Sequence, residues 1–292
     1  MDTLYLDLET YNDVSIKVGT PRYAETVEIM LIGFALNDAP AQVVQCGPKP
    51  NDLLFFNYLS RVDRIVAHNA FFDRTCLNAV YGNTLPAIEK WHCTMARTYA
   101  HSLPGSLEHL GAIFKLTALK DKAGQQLVRL FCMPRPKNST ERRATKETHP
   151  RQWAQFVDYC RRDVEALREL DRKLPTWNWF KREDALWKLD QKINDRGIHI
   201  DLELANAAHT AVEKHKATIR DDAYESLGDV ELSQRDAVLA ILLKEYGVAL
   251  PDLQASTLER RIDDENLPEP VRDILRWRLA YTRTSNSKWK KL

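Results

Sequence analysis

Asp7 and Glu9 lie two positions apart in the opening stretch LYLDLETYND, residues 4–13. Alternation along a strand sends Leu4, Leu6 and Leu8 to one face and Tyr5, Asp7 and Glu9 to the other. Two like charges on one face repel, so they either splay into solvent or share a cation. The cation reading predicts further carboxylates, and two segments supply them. In VAHNAFFD, Asn69 is placed to cap a helix whose first turn carries Asp73, where the partial positive charge of the helix end favours an anion. In DYCRRDVEAL, Tyr159 and Asp163 are four apart and share a helical face. Four clustered carboxylates need compensating cations, and a donor set made only of oxygen suits magnesium or manganese. Each piece alone has a plainer meaning: a solvated strand edge, an ordinary helix start, a partly exposed helical pair. The ordered set is what points to a metal centre.

The elements that would carry these residues follow from periodicity. After the first strand, residues 27–36 and 41–46 read as neighbouring strands joined by NDAP, an antiparallel meander. Residues 51–63 have helical apolar spacing, and RIVAH (64–68) is a short strand entering a helix at Asn69. Residues 106–116 and 153–174 are further amphipathic helices, the second ending before Pro175. Between them, residues 133–150 have the composition of an exposed basic loop, mobile in the absence of a partner. From about residue 183 the pattern becomes helical, with Gly197 as a helix end, a short extended piece at IHI, and Asp201 as the cap of a long helix. The expected architecture is α/β, a mixed sheet of antiparallel and parallel strands flanked by helices. A mainly helical extension follows, and the domains fall at 1–182 and 183–292.

Composition narrows the partners. The chain has 292 residues, 44% apolar and 28% charged, with a net charge of +1. It contains no apolar run long enough for a membrane span and no secretory signal, so a cytoplasmic protein without a membrane partner is expected. Five scattered cysteines without a C-x-x-C pair argue against disulfides and zinc. Charge is uneven: residues 101–182 hold 17 basic and 9 acidic side chains. A locally positive field suits a polyanion, although a solvated charged face is the commoner meaning.

The ordered set resembles a family, the 3′-to-5′ exonucleases with four acids and a tyrosine on a ribonuclease H-like fold. Asp7 and Glu9 match its D-x-E motif, NAFFD its N-x-x-x-D, and YCRRD its Y-x-x-x-D. With WHCTMARTYAHSLPGSLEHLG, KDKAGQQLVRLF and INDRGIHID added, residues 1–201 look like the proofreading exonuclease region of phage-type family A DNA polymerases. The resemblance implies that Asp7, Glu9, Asp73 and Asp163 hold two Mg2+ (or Mn2+) ions and that Tyr159 orients the attacking water. It implies a substrate-placing role for Asn69, for which helix capping is the competing explanation. Beside the motifs, Phe71 and Phe72 are candidates for stacking on a terminal base, with core packing the plainer fate of at least one, and Arg161 and Arg162 for meeting phosphate, with solvent the plainer direction. Asp158 is a rival carboxylate that the direction of the helix disfavours. The partner expected is DNA, mainly single-stranded 3′ ends; with no H-D-E motif and no room for the polymerase motifs, the chain reads as a polymerase fragment, as one half of a split polymerase with a separately encoded polymerase part, or as a free-standing nuclease. The alternatives are RNA trimming and a non-catalytic DNA-binding or assembly module.

Overall fold

The computed structural model describes residues 1–47, 53–82, 85–117, 124–136, 138–139 and 141–283. It divides into two compact units, Met1–Gly197 and Ile198–Leu292. The first is built on a five-stranded sheet in the order β3-β2-β1-β4-β5. Its strands are β1 (Thr3–Tyr11), β2 (Glu28–Leu36), β3 (Gln42–Gln45), β4 (Arg64–Ala67) and β5 (Trp91–Cys93). β1 and β2 pair antiparallel, as do β2 and β3, while β1, β4 and β5 run parallel. The mixed sheet flanked by helices and the helical second unit are those expected of a ribonuclease H-like α/β chain.

Helices α1 (Thr20–Ala24), α2 (Leu53–Arg61), α3 (Ala70–Tyr81), α4 (Thr94–Ala100), α5 (Leu107–Phe114), α6 (Gly124–Phe131), α7 (Pro150–Lys173) and α8 (Lys181–Arg196) complete the first unit. The leucine face of β1 is buried as expected: Leu4, Leu6 and Leu8 join Ile32, Phe34, Phe55 and Trp91 in the largest apolar cluster. The opposite face is covered too. Tyr5 packs with Ala35, Val66, Val164 and Leu167, the last two on α7. Asp7 and Glu9 therefore lie beneath a helix and not on a solvated edge.

Close approach of α7 depends on Gly33, which pairs with Asp7 across the β1–β2 register. A Cβ at Gly33 would stand 2.8 Å from Val164 Cγ2 and 2.9 Å from Cys160 Sγ, so only the missing side chain lets this helix sit where it does.

Two expectations shift, and a third falls partly outside the described residues. The boundary expected at 182/183 lies at 197/198, because α8 belongs to the first unit. Its Trp187 packs on the large apolar cluster, and Asp195 accepts two bonds from Arg74 at 2.7 and 2.5 Å. Composition turns helical at 183, but these side chains bind back to the sheet unit. The basic loop, of which residues 137 and 140 lie outside the described residues, is anchored where it is described. Arg143 is paired with both Glu28 oxygens at 2.5 and 2.7 Å, and its guanidinium lies 4.1 Å from the Tyr11 ring centroid. Of the last helix expected over 270–292, Glu269–Thr282 is helical with Arg283 as its C-cap residue, and residues 284–292 lie outside the described residues.

The second unit comprises α9 (Leu202–Leu227), α10 (Arg235–Tyr246), α11 (Ala255–Ile262) and α12 (Glu269–Thr282). Asp201 caps α9 as expected, its Oδ1 accepting from the Leu204 N–H at 2.9 Å. Ile219, Ala223, Leu242, Leu258, Val271 and Leu275 form its core. No helix among the described residues is long and apolar enough to cross a membrane.

Candidate active site

Three elements deliver the acids to one place. β1 contributes Asp7 and Glu9, with a bulge in its pairing to β2 between Glu9 and Thr10. Bulges of this kind re-aim side chains beside functional sites. α3 follows β4, the parallel neighbour of β1, so its first turn brings Asp73 to the carboxyl end of the strands. α7 crosses the sheet on the Tyr5 face and brings Tyr159 and Asp163. Glu9, Asp73 and Asp163 are buried, and Asp7 is half-buried.

Their electrostatics are those of acids without enough cation. Asp7 is held well above the ordinary carboxylate range, first by burial and then by Glu9, Asp163 and Asp73. Glu9 is pushed up to about 8 by burial and by Asp163. Asp73 is pushed up to about 8 by burial, which backbone hydrogen bonds from its own N–H and that of Leu8 only partly offset. Asp163 rises to about 6 through burial, although a hydrogen bond from Tyr159 and the charge of Arg162 pull the other way. Mutual effects of this kind require the four carboxyls to be within short range of one another.

Tyr159 is raised above the ordinary phenol value by burial and by the charge of Asp163 and Glu9, so it remains a protonated donor. Its ring stacks on Phe156 at 6.4 Å with a 6° interplanar angle. Gly124, the first residue of α6, makes room for it: a Cβ there would meet Tyr159 Cε2 at 2.2 Å.

The donor set suits hard divalent cations. Asp163 Oδ1 is buried with no hydrogen-bond partner, a vacant acceptor inside the cluster. Asp7, Glu9 and Cys160 offer ligand atoms all within 4.8 Å of one another. The Cys160 thiol is pushed well up by burial and then by Glu9 and Asp7, which keeps it protonated, so the carboxylate oxygens are the atoms that could hold a divalent metal.

Cys160 and Cys132 were not among the residues singled out by sequence reasoning. Cys160 shares the i, i+3 face of Asp163, a signal the sequence did contain. Cys132, whose Sγ donates to Glu9 Oε2 at 3.5 Å, comes from 123 residues away and left no local trace.

The remaining candidates divide. Asn69 occupies the N-cap position of α3, but in the left-handed conformation (φ 72°, ψ 49°) and with no capping hydrogen bond from its side chain. The expected cap is therefore absent and the amide is left for other work. Phe72 packs on Tyr23 with ring centroids 5.8 Å apart. It also helps line a cavity of 460 Å³ that reaches Glu9, with Val14, Ile16, Tyr23 and Met133 in the same wall. Phe71 lies apart, beside Arg74 and Asn194 in a different cavity. Arg162 acts on Asp163 electrostatically while its Nε stands 3.1 Å from Asp158. Asp158 is exposed and held by Arg161 and Arg162, outside the acid cluster.

No protein-family model matches the chain. It is similar to a DNA polymerase of Bacillus phage SP02, with 33% identity over 298 aligned residues, which is 99% of this chain and 45% of that protein. The chain thus spans less than half the length of this relative, and it is related to a region of a DNA polymerase.

Proposed function

We propose that the first unit is a metal-dependent 3′-to-5′ exonuclease that removes nucleoside 5′-monophosphates from single-stranded or frayed 3′ ends of DNA. The observation that carries this reading is the convergence of Asp7, Glu9, Asp73, Asp163 and Tyr159 into one buried, cation-deficient cluster. Similarity to a phage DNA polymerase favours DNA over RNA as the polymer. It also makes the remaining length of such a polymerase, covalently joined or separately encoded, the natural partner.

Asp7, Glu9, Asp73 and Asp163 would hold two magnesium or manganese ions. Ions bound there would supply Lewis-acid activation of water and neutralise charge on the scissile phosphate. Tyr159, kept protonated, orients the attacking water through its hydroxyl, and Glu9 accepts a hydrogen bond from that water. Phe72 and the cavity wall beside Glu9 receive the terminal base by stacking, and the uncommitted Asn69 amide positions the terminal nucleotide. The water oxygen forms a bond to phosphorus as the bond from phosphorus to the 3′ oxygen breaks. The departing 3′ oxygen takes up a proton, and a nucleoside 5′-monophosphate leaves. Arg162, next to Asp163, is placed to meet a phosphate of the strand if it leaves Asp158.

The test is digestion of a 5′-labelled single-stranded DNA, and of the same sequence in RNA, with magnesium, with chelator, and with Asp7→Ala protein. The expected result is a ladder shortening from the 3′ end of the DNA only with magnesium and unaltered protein. Intact DNA under every condition, from folded protein, overturns the reading in favour of a non-catalytic module. Faster digestion of the RNA replaces DNA by RNA as substrate.

A further inference from the structure

The other end of α7 carries a feature that the acid cluster does not use. A cavity of 310 Å³ is lined by Arg64, His92, Arg97, Trp179, Phe180 and Lys181. It adjoins Asp171, which follows Asp163 by eight residues on α7, about 12 Å along the helix axis. Arg64 and Arg97 share this one carboxylate, Arg64 at 2.8 and 2.9 Å and Arg97 at 2.6 Å. Lys181 adds a further cation. The carboxylate among the lining residues, Asp184, is bound by Lys188 at 2.6 Å. His92 stays neutral, pushed down to about 4 by burial and then by Arg64. The cavity therefore has a surplus of positive charge.

Two further observations point to an anion. Arg97 is only 7% exposed, and its Nε is buried with no hydrogen-bond partner. A buried guanidinium donor without an acceptor is unfavourable, and an anion in the cavity would supply one; the other Arg97 donors are taken by Asp171 and by the Leu174 and Pro175 carbonyls. α8 begins at the rim with Phe180 as its N-cap residue, which makes no side-chain capping bond, so the helix end adds a partial positive charge, against which its first turn sets Glu183 and Asp184. Beside these charges Phe180 is 62% exposed and Trp179 is half-buried, which offers aromatic faces to a base.

We propose that this cavity binds a nucleotide, its phosphate between Arg64, Arg97 and Lys181 and its base against Phe180 or Trp179, as a second site apart from the acid cluster. The source is either a free nucleoside monophosphate or one nucleotide of a DNA strand. The proposal stands independently of the exonuclease reading, because it needs no metal and no turnover.

Binding of deoxyadenosine monophosphate, of deoxyadenosine and of a short oligodeoxyadenylate is measured calorimetrically on the full chain in chelator. Unaltered, Lys181→Glu, Phe180→Ala and Asp7→Ala proteins are compared, each checked for folding by circular dichroism. The expected result is binding of the monophosphate, weakened about tenfold or more by Lys181→Glu or by loss of the phosphate, and unchanged by Asp7→Ala. Phe180→Ala weakens it less, and salt weakens it throughout. Tighter binding of the oligonucleotide identifies a strand as the source, and tighter binding of the monophosphate identifies the free nucleotide. The proposal is overturned by absence of monophosphate binding, by binding indifferent to Lys181→Glu or to the phosphate, or by binding lost in Asp7→Ala.

Discussion

Asp163 and Asp171 lie two turns apart on α7, and both are 8% exposed. Burial alone would raise both. Asp171 is instead held below the ordinary range, because two bonds from Arg64 and the charges of Arg64 and Arg97 outweigh desolvation. Asp163 faces Asp7, Glu9 and Asp73, and it ends above that range with one oxygen unpartnered. The same residue type at the same depth on one helix is complete at one end and incomplete at the other. Burial therefore does not mark function here. On the proposed reading a deficit of partners does, since among the described residues Arg162 carries the only charge that opposes the rise of Asp163, and a bound cation would complete the cluster.

Removing the charge from each aspartate should separate the two roles. Asp163→Asn is expected to lower exonuclease turnover by about 10³-fold, while making the metal-free protein more stable at neutral pH. Single-turnover digestion and urea unfolding check the two halves. Asp171→Asn is expected to do the reverse. It leaves the buried Arg97 and the half-buried Arg64 guanidiniums short of a charge, and should cost about 3–5 kcal/mol of stability. What remains folded should keep turnover near that of the unaltered protein. Equal effects of the two variants on both readouts would erase the distinction.

Tyr159→Phe removes the hydroxyl that orients water but leaves all four acids. Turnover should fall by about 10²-fold with metal affinity little changed, checked by comparing kcat with the magnesium concentration at half-maximal rate. Gly33→Ala tests position without touching any polar group. The added methyl must push α7 off β2, costing about 1–3 kcal/mol and moving Tyr159 and Asp163 away from Asp7. Thermal unfolding and turnover should therefore fall together, as they should not for Tyr159→Phe.

The smallest expected effect is on pH dependence. Glu9 and Asp73, near 8, bind more protons folded than unfolded. Metal-free stability should therefore fall as pH rises from the unfolded carboxylate range near 4 through about 8. Asp171 has the opposite sign: its contribution is present above the unfolded value and is lost as pH falls through its lowered folded value. Magnesium should raise the melting temperature by a few degrees at pH 8 and scarcely at pH 5, measured by calorimetry.

Legibility in the sequence followed range. Alternation in LYLDLE and the i, i+4 spacing of Tyr159 and Asp163 are local, so the elements bearing the acids were readable. β5, α1 and α4 have 3, 5 and 7 residues, too short to show a period above noise. Their existence is decided by packing. The room that Gly33 gives α7 and Gly124 gives Tyr159, and the bond of Cys132 to Glu9, are contacts between distant segments with no local pattern. The Arg64–Asp171–Arg97 network spans 107 and 74 residues for the same reason. Asn69 looked like a cap because its residue type and place fit one, and only its left-handed backbone shows that the side chain is not used that way.

The most direct test of the central claim is calorimetric titration of Mn2+ into metal-free protein at pH 7.5, with Asp163→Asn and Asp171→Asn in parallel. Saturable binding of two ions by unaltered protein and by folded Asp171→Asn, with loss of at least one in Asp163→Asn, is the predicted result. Absence of saturable binding, or binding indifferent to Asp163→Asn, would contradict the assignment of the acid cluster as a metal centre.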